Sequence, residues 1–345
     1  MARCSFDTAV TRPLHEILIV GLIVVATLAA ANAAEPREEN QFGSNPGNLR
    51  MFSYVPEGTR PSAALVVVLH GCKQRAVSFA RDAGFLALAD SFKVTLLLPE
   101  QKGLPPYFYD YYIFSWVAAM FGANNQNACF NWFESEDIRR DSGEALSIRQ
   151  MIDAMVKRHS IDPSRVYIVG LSAGGAMAAV MLATYPEVFA GGAIVAGVPY
   201  GCADTAFKAL QCMNPGIDLS ANDWRARARN ANKGETSVPP VSIWHGTVDT
   251  RVLPRNQQEL VDQWTALHGI PLTSVRAERS GPIERKVYSD GSTLRRVESV
   301  SVEGLGHAFP IDGTSGCGQP GDFVVSAGVC AATEIASFWG LITRP

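Results

Sequence analysis

The sequence predicts an α/β fold: one mostly parallel central sheet covered by helices on both faces. Three observations predict it. Aliphatic runs such as Ala63 to His70 and Val94 to Leu98 are continuous rather than alternating, which suits strands buried on both faces. Segments with apolar residues at helical spacing separate these runs, and strand–helix alternation builds a parallel sheet. No internal repeat, and no Ser/Thr/Gly-rich linker leading to a second compact module, interrupts the pattern.

Composition narrows the function. The chain has 345 residues, 47% hydrophobic and 18% charged, which excludes a disordered chain. Thirty Lys and Arg stand against 33 Asp and Glu, a net charge of -3 without a basic stripe, so no nucleic acid partner is expected.

The chain begins with a segment outside the fold. Arg3 and Arg12 precede the charge-free apolar run Ile17 to Ala31, then small Ala31-Asn32-Ala33 and polar residues from Glu35. The run is shorter than the ~20 residues that span a bilayer. Residues 1–33 therefore read as an export signal cleaved near Ala33-Ala34. The product is secreted or periplasmic, with no stable membrane insertion after cleavage. Residues 34–48 form a polar lead-in, and 49–341 a single domain.

Within that domain, Leu49 to Tyr54 suits an edge strand, followed by the Ala63–His70 strand. Phe79, Ala83 and Leu86 mark a helix over Val77 to Ser91, and Val94–Leu98 is a strand closed by Pro99. Leu104 to Phe133 is a long loop dense in aromatics, either functional or a satellite core. Asp137 to Arg158 reads as a helix with Ile148, Met151, Ile152 and Met155 on one face. Then follow strand Val166–Val169, helix Gly174–Thr184 and strand Phe189–Ala196. Gly201–Pro239 is irregular and polar, with Arg225, Arg227 and Arg229 as a solvated face. Strand Val241–His245, helix Asn256–His268, strand Thr293–Glu303 and helix Ala331–Leu341 complete the chain.

Cysteine usage agrees with export. Cys4 leaves with the signal, and Cys72, Cys129, Cys202, Cys212, Cys317 and Cys330 remain. An even set in an exported chain implies disulfides. Proximity favours Cys202–Cys212 and Cys317–Cys330, leaving Cys72–Cys129. Zinc is the competing use, but no Cys-x-x-Cys occurs and only His70 stands close to a cysteine. No metal or cofactor is expected.

The sharpest motif is Gly170-Leu171-Ser172-Ala173-Gly174, a Gly-x-Ser-x-Gly between a strand and a small-residue helix. That context exposes the Ser172 hydroxyl on a strained turn, while the helix aims N–H groups at developing negative charge. The alternative is an unreactive serine in a tight turn. A nucleophilic serine needs a base and an orienter, in the order serine, acid, histidine for this strand–turn–helix arrangement. His307, in a loop after a strand, is the base candidate; His245 and His268 suit structural positions. Asp249, shortly after the Val241 strand, is the acid; Asp262 and Asp290 suit a helix and a hairpin turn. The oxyanion donors expected are the amides of Ala173 and Cys72, the latter in the turn after the Ala63–His70 strand.

The chain resembles the extracellular-type short-chain-length polyhydroxyalkanoate (polyhydroxybutyrate) depolymerases, within a wider group that includes feruloyl and acetylxylan esterases. The segments that carry the resemblance are His70-Gly-Cys-Lys-Gln74, Asn127-Ala-Cys-Phe-Asn-Trp-Phe133, Gly170-Leu-Ser-Ala-Gly-Gly-Ala-Met177, Pro199-Tyr-Gly-Cys202 and Trp244-His-Gly-Thr-Val-Asp249. The resemblance implies an α/β-hydrolase in which Ser172, Asp249 and His307 cleave 3-hydroxybutyrate esters, with Cys72 and Ala173 as oxyanion donors. It implies a polyester or oligomeric hydroxyalkanoate as substrate, no cofactor, and Trp132 near the substrate cleft. Ala308 stands where members often carry glycine. Many members add a polymer-binding domain after the catalytic one, and none is expected after Trp339. A feruloyl or acetylxylan esterase using the same triad, and a non-catalytic polymer-binding protein, are the alternatives.

Overall fold

The computed structural model describes residues 34–105, 120, 122–234, 237–291 and 296–342. The expected export signal, and the aromatic residues from 107 to 116, lie outside the described residues. The described strands are β1 (Arg37–Glu39), β2 (Arg50–Tyr54), β3 (Leu65–Leu69), β4 (Thr95–Glu100), β5 (Val166–Leu171), β6 (Gly191–Val195), β7 (Val241–Gly246), β8 (Val275–Ser280), β9 (Ile283–Tyr288) and β10 (Val297–Val302). They form one sheet in the order β1-β2-β4-β3-β5-β6-β7-β10-β9-β8. From β4 to β10 in that order, every neighbouring pair is parallel. Antiparallel strands flank this centre, β2 and β1 on one side and β9 and β8 on the other.

The period of two in each strand divides the core into two layers. Leu65, Val67 and Leu69 of β3 join the layer containing α3 (Gly143–His159), α4 (Ala173–Thr184), α5 (Ala206–Met213), α6 (Ala221–Ala231) and α7 (Arg255–His268). Val66 and Val68 face the other layer, with α1 (Ala76–Asp82), α2 (Phe85–Phe92) and α8 (Ala331–Phe338). All five β3 residues are buried, each worth about 1.5–3 kcal/mol. This explains why the run is continuous and shows the α/β-hydrolase architecture, a mostly parallel sheet between two helical layers. A short parallel pair, β11 (Phe309–Ile311) with β12 (Val324–Ser326), lies beyond the main sheet.

Several elements differ from expectation. Leu49–Tyr54 is not the edge, because β1 pairs outside it. The Val77–Ser91 helix is two helices, broken at Gly84, which turns in the left-handed region with φ 86°. Strand β4 continues through Pro99 to Glu100; its parallel pairing with β3 ends at Leu97, so proline removes no bond there. Helix α3 begins at Gly143 rather than Asp137, after turns with positive φ at Asp141 and Gly143. The polar region from Gly201 contains α5 and α6, and the β8–β9 hairpin widens the sheet. Cys202–Cys212 and Cys317–Cys330 pair as proximity suggested, and the remaining Cys72–Cys129 pair forms as well.

Candidate active site

Strand β5 ends at Leu171 and α4 begins at Ala173, so Ser172 alone makes the turn, with φ 56° and ψ −117°. A non-glycine residue held there costs on the order of 1–3 kcal/mol. The neighbouring chain supplies the restraint. The Ser172 N–H donates to the Val195 carbonyl at 2.9 Å, and the Ser172 carbonyl accepts from Ala176 N–H at 2.8 Å. Gly174 is required by close approach, since a Cβ there would lie 2.3 Å from the Leu69 carbonyl oxygen and 2.5 Å from that of His70. The motif is therefore a packing solution that brings the start of α4 against the end of β3.

Asp249 leaves the end of β7, and His307 follows β10, the next strand in the sheet. His307 Nδ1 lies 2.7 Å from Asp249 Oδ2, and its Nε2 lies 2.7 Å from Ser172 Oγ. Asp249 accepts at Nδ1–H, which leaves Nε2 free to accept the serine proton. Asp249 Oδ1 accepts from the N–H groups of Arg251 (2.8 Å) and Val252 (3.0 Å). The buried His245 ring adds Nε2 at 3.4 Å from Asp249 Oδ2 and 2.8 Å from the Val252 carbonyl. Burial alone would raise the Asp249 carboxyl. Hydrogen bonds from His245 and His307, the electrostatic attraction of the His307 imidazole and the Arg251 amide outweigh it and hold the carboxyl well below the usual range. Asp249 thus stays ionised beside the imidazole at any pH where the serine could react.

The turn after β3 forms the opposing wall. His70 is fully buried; its Nδ1 lies 2.7 Å from the Gly71 carbonyl, and its Nε2 accepts from Gln101 N–H at 3.1 Å. Because Nε2 accepts, Nδ1 carries the proton and donates to the Gly71 carbonyl; desolvation lowers the His70 pKa. Gly71 N–H donates to Gln74 Oε1 at 2.7 Å, and Lys73 N–H to the Asn127 carbonyl at 2.7 Å. The Cys72–Cys129 disulfide fixes the same turn from the side. Closing that 57-residue separation contributes about 4 kcal/mol through chain entropy.

These parts enclose a cavity of ≈ 220 Å³ that includes Cys72, Ser172, His307, Met213, Arg251 and Phe323 in its lining. The structure thus brings together Ser172, His307 and Asp249, with Cys72 opposite and Ala173 at the first position of α4. Trp132 does not line this cavity. It is 7% exposed, packs in the α3-side core layer and meets Phe133 edge-on at 5.4 Å. Sequence reasoning missed Met213, Arg251 and Phe323. Phe323 adopts φ 54°, an outlier for a bulky residue. Its ring stands edge-on to His307 at 6.1 Å and under the Arg251 guanidinium at 5.0 Å. Among the described residues no cluster fit to hold a metal ion occurs, and no helix is long and apolar enough to cross a membrane.

Residues 49–288 match the family described as Esterase PHB depolymerase, a span that contains Ser172 and Asp249 and stops before His307. The chain belongs to this family. It is a carboxylic ester hydrolase of the serine type. The esterase is 40% identical over 333 residues to poly(3-hydroxyalkanoate) depolymerase C of Paucimonas lemoignei, covering 95% of this chain and 76% of that one. It is 30% identical over 300 residues to feruloyl esterase B of Neurospora crassa, covering 85% and 94% of the two chains. Among solved structures, an acetyl xylan esterase from Aspergillus awamori superposes with a TM-score of 0.72 at 21% identity, covering 89% of this esterase and all of that chain. That likeness shows a shared fold.

Proposed function

We propose that this esterase is exported and hydrolyses the ester bonds of poly(3-hydroxybutyrate) or its oligomers, with Ser172 as nucleophile, His307 as base and Asp249 as its orienter. The observation that carries the chemistry is the unbroken chain from Asp249 through His307 to Ser172, at 2.7 Å in both links, opening into the cavity. His307 Nε2 takes the hydroxyl proton as Ser172 Oγ attacks the ester carbonyl. The oxyanion meets the N–H groups of Cys72 and Ala173. His307 then protonates the departing alkoxide, and water hydrolyses the acyl-enzyme by the same route. Asp249 holds the imidazole tautomer and offsets its charge without taking the proton.

The substrate reading rests on the 40% identical relative named as a poly(3-hydroxyalkanoate) depolymerase. Apolar Met213, Val252, Leu171 and Phe323 in the cavity wall support an aliphatic ester repeat. Export is supported by three disulfides and by the leader-like residues 1–33. A second reading, a feruloyl or acetylxylan esterase, is favoured by relatives so named at about 30% identity. Side-by-side assay of 3-hydroxybutyrate release, ferulate release and acetate release from acetylxylan separates them. Hydroxybutyrate oligomers should give the highest kcat/KM; a higher value on either plant ester would reverse the assignment.

A further inference from the structure

The cavity wall carries cationic groups and no acidic side chain among its described residues: Lys73 and Arg251 line it, and no Asp or Glu does. Arg251, an exposed residue, holds its cation over an aromatic ring. Its main chain is fixed, because its N–H donates to Asp249 Oδ1 at 2.8 Å. Its guanidinium lies 5.0 Å from the Phe323 ring centroid, on a residue held in a left-handed conformation. Phe323 is held in turn through its carbonyl, which accepts from Phe309 N–H at 2.8 Å, and by the adjacent Asp322 carbonyl, which accepts from Gln74 Nε2. Yet among the described residues no carboxylate pairs with Arg251. Arg255, four residues on, has Asp218 at 2.6 Å and Glu259 at 3.6 Å; Arg285 has Glu298 and Glu334 at 2.6 Å each.

We propose that Arg251 is a specificity residue that receives the terminal carboxylate of a hydroxyalkanoate oligomer bound across Ser172. This deepens the hydroxyalkanoate reading above and rests on it. The chemistry follows from the substrate itself. A polyester interior is uncharged, but each hydrolysed ester leaves one new carboxylate at the end of an oligomer. An oligomer whose last repeat forms the leaving alcohol carries that carboxylate on the departing fragment. A planar guanidinium, oriented on an aromatic face and without a carboxylate partner among the described residues, is suited to bidentate recognition of such a group. The free acid is then preferred over an end-blocked oligomer of the same length.

The test compares kcat/KM for the 3-hydroxybutyrate trimer as free acid and as its methyl ester. The parent enzyme should favour the acid. Arg251→Gln should reduce the acid-to-methyl-ester ratio by about tenfold to a hundredfold, the range for a hydrogen bond to a charged group. Arg251→Lys should restore part of it, since charge survives without the fork. Lys73→Gln should retain the preference. A ratio unchanged in Arg251→Gln, or a preference lost in Lys73→Gln and kept in Arg251→Gln, overturns the assignment while leaving the hydroxyalkanoate reading intact. A parent that cleaves neither trimer but cleaves p-nitrophenyl butyrate overturns both. Because the readout is a ratio, a general loss of folded enzyme cancels from it.

Discussion

The floor of the cavity and its rim are built by different means. On the floor, Ser172, Asp249 and His307 each leave the end of a parallel strand of one sheet. Their spacing follows from the sheet, and hydrogen bonds of 2.7 Å link them. The rim residues Met213, Arg251 and Phe323 lie outside the main sheet: Met213 ends a helix, Arg251 sits in a loop, and Phe323 immediately precedes the short strand β12. Disulfides brace much of that rim: Cys202–Cys212 holds the helix that ends at Met213, Cys317–Cys330 closes the segment carrying Phe323, and Cys72–Cys129 ties the turn facing Ser172. The difference teaches that the Ser172–His307–Asp249 geometry is fixed by strand ends, whereas the side walls of the cavity come from loops, several of them closed by disulfides. Damage to the floor should therefore reduce kcat on every ester. Damage to the rim should change selectivity, and damage beneath either should cost stability alone.

The largest effect should come from the floor. Asp249→Asn keeps the shape, but with its amide oxygen held by the Arg251 and Val252 N–H groups it turns a donating NH2 toward His307 Nδ1 and so reverses the tautomer. A loss in kcat of about 10⁴-fold is expected on short and long esters alike. Steady-state assays on p-nitrophenyl acetate and a hydroxybutyrate trimer check this, and a loss confined to one of them would breach the division between floor and rim.

Trp132→Ala probes the region beneath. Trp132 is buried in the α3-side core layer and meets Phe133 edge-on, so truncation should cost about 3–5 kcal/mol. Denaturant unfolding should show that loss, while the trimer-to-acetate ratio of kcat/KM stays at the parent value. A changed ratio with unchanged stability would instead give Trp132 the substrate contact that the family resemblance implies.

The smallest of these effects should come from a rim brace. Replacing Cys317 and Cys330 together by serine frees a loop spanning 13 residues, with a stability cost of about 3 kcal/mol. KM for the trimer should rise more than KM for p-nitrophenyl acetate, because Phe323 lies inside that loop. Equal changes for both substrates would detach the brace from substrate selection.

What the sequence made legible follows the same division. The Ser172 turn could be read because its steric demands leave a local mark: a glycine where a Cβ would strike the β3 carbonyls, between a strand and a helix. Asp249 and His307 could be read because each follows a buried strand at its carboxyl end. The β8–β9 hairpin could not, since Val275 to Ser280 is exposed throughout and carries no buried alternation. Helix α6 was hidden for a related reason. It buries only Trp224 and Ala228, and its arginines read as loop. Phe323 and Met213 left no local mark, because their place in the cavity depends on contacts between distant segments.

The central claim is that Ser172 is the nucleophile, activated through His307. Its most direct test is covalent trapping with a fluorophosphonate, followed by intact mass and peptide mapping, on the parent, Ser172→Ala and His307→Ala. The account predicts one adduct per chain, on the peptide bearing Ser172. The adduct should be absent in Ser172→Ala and form far more slowly in His307→Ala, in proteins with matching circular dichroism. An adduct on another residue that abolishes esterase activity, or full activity in folded Ser172→Ala, would contradict it.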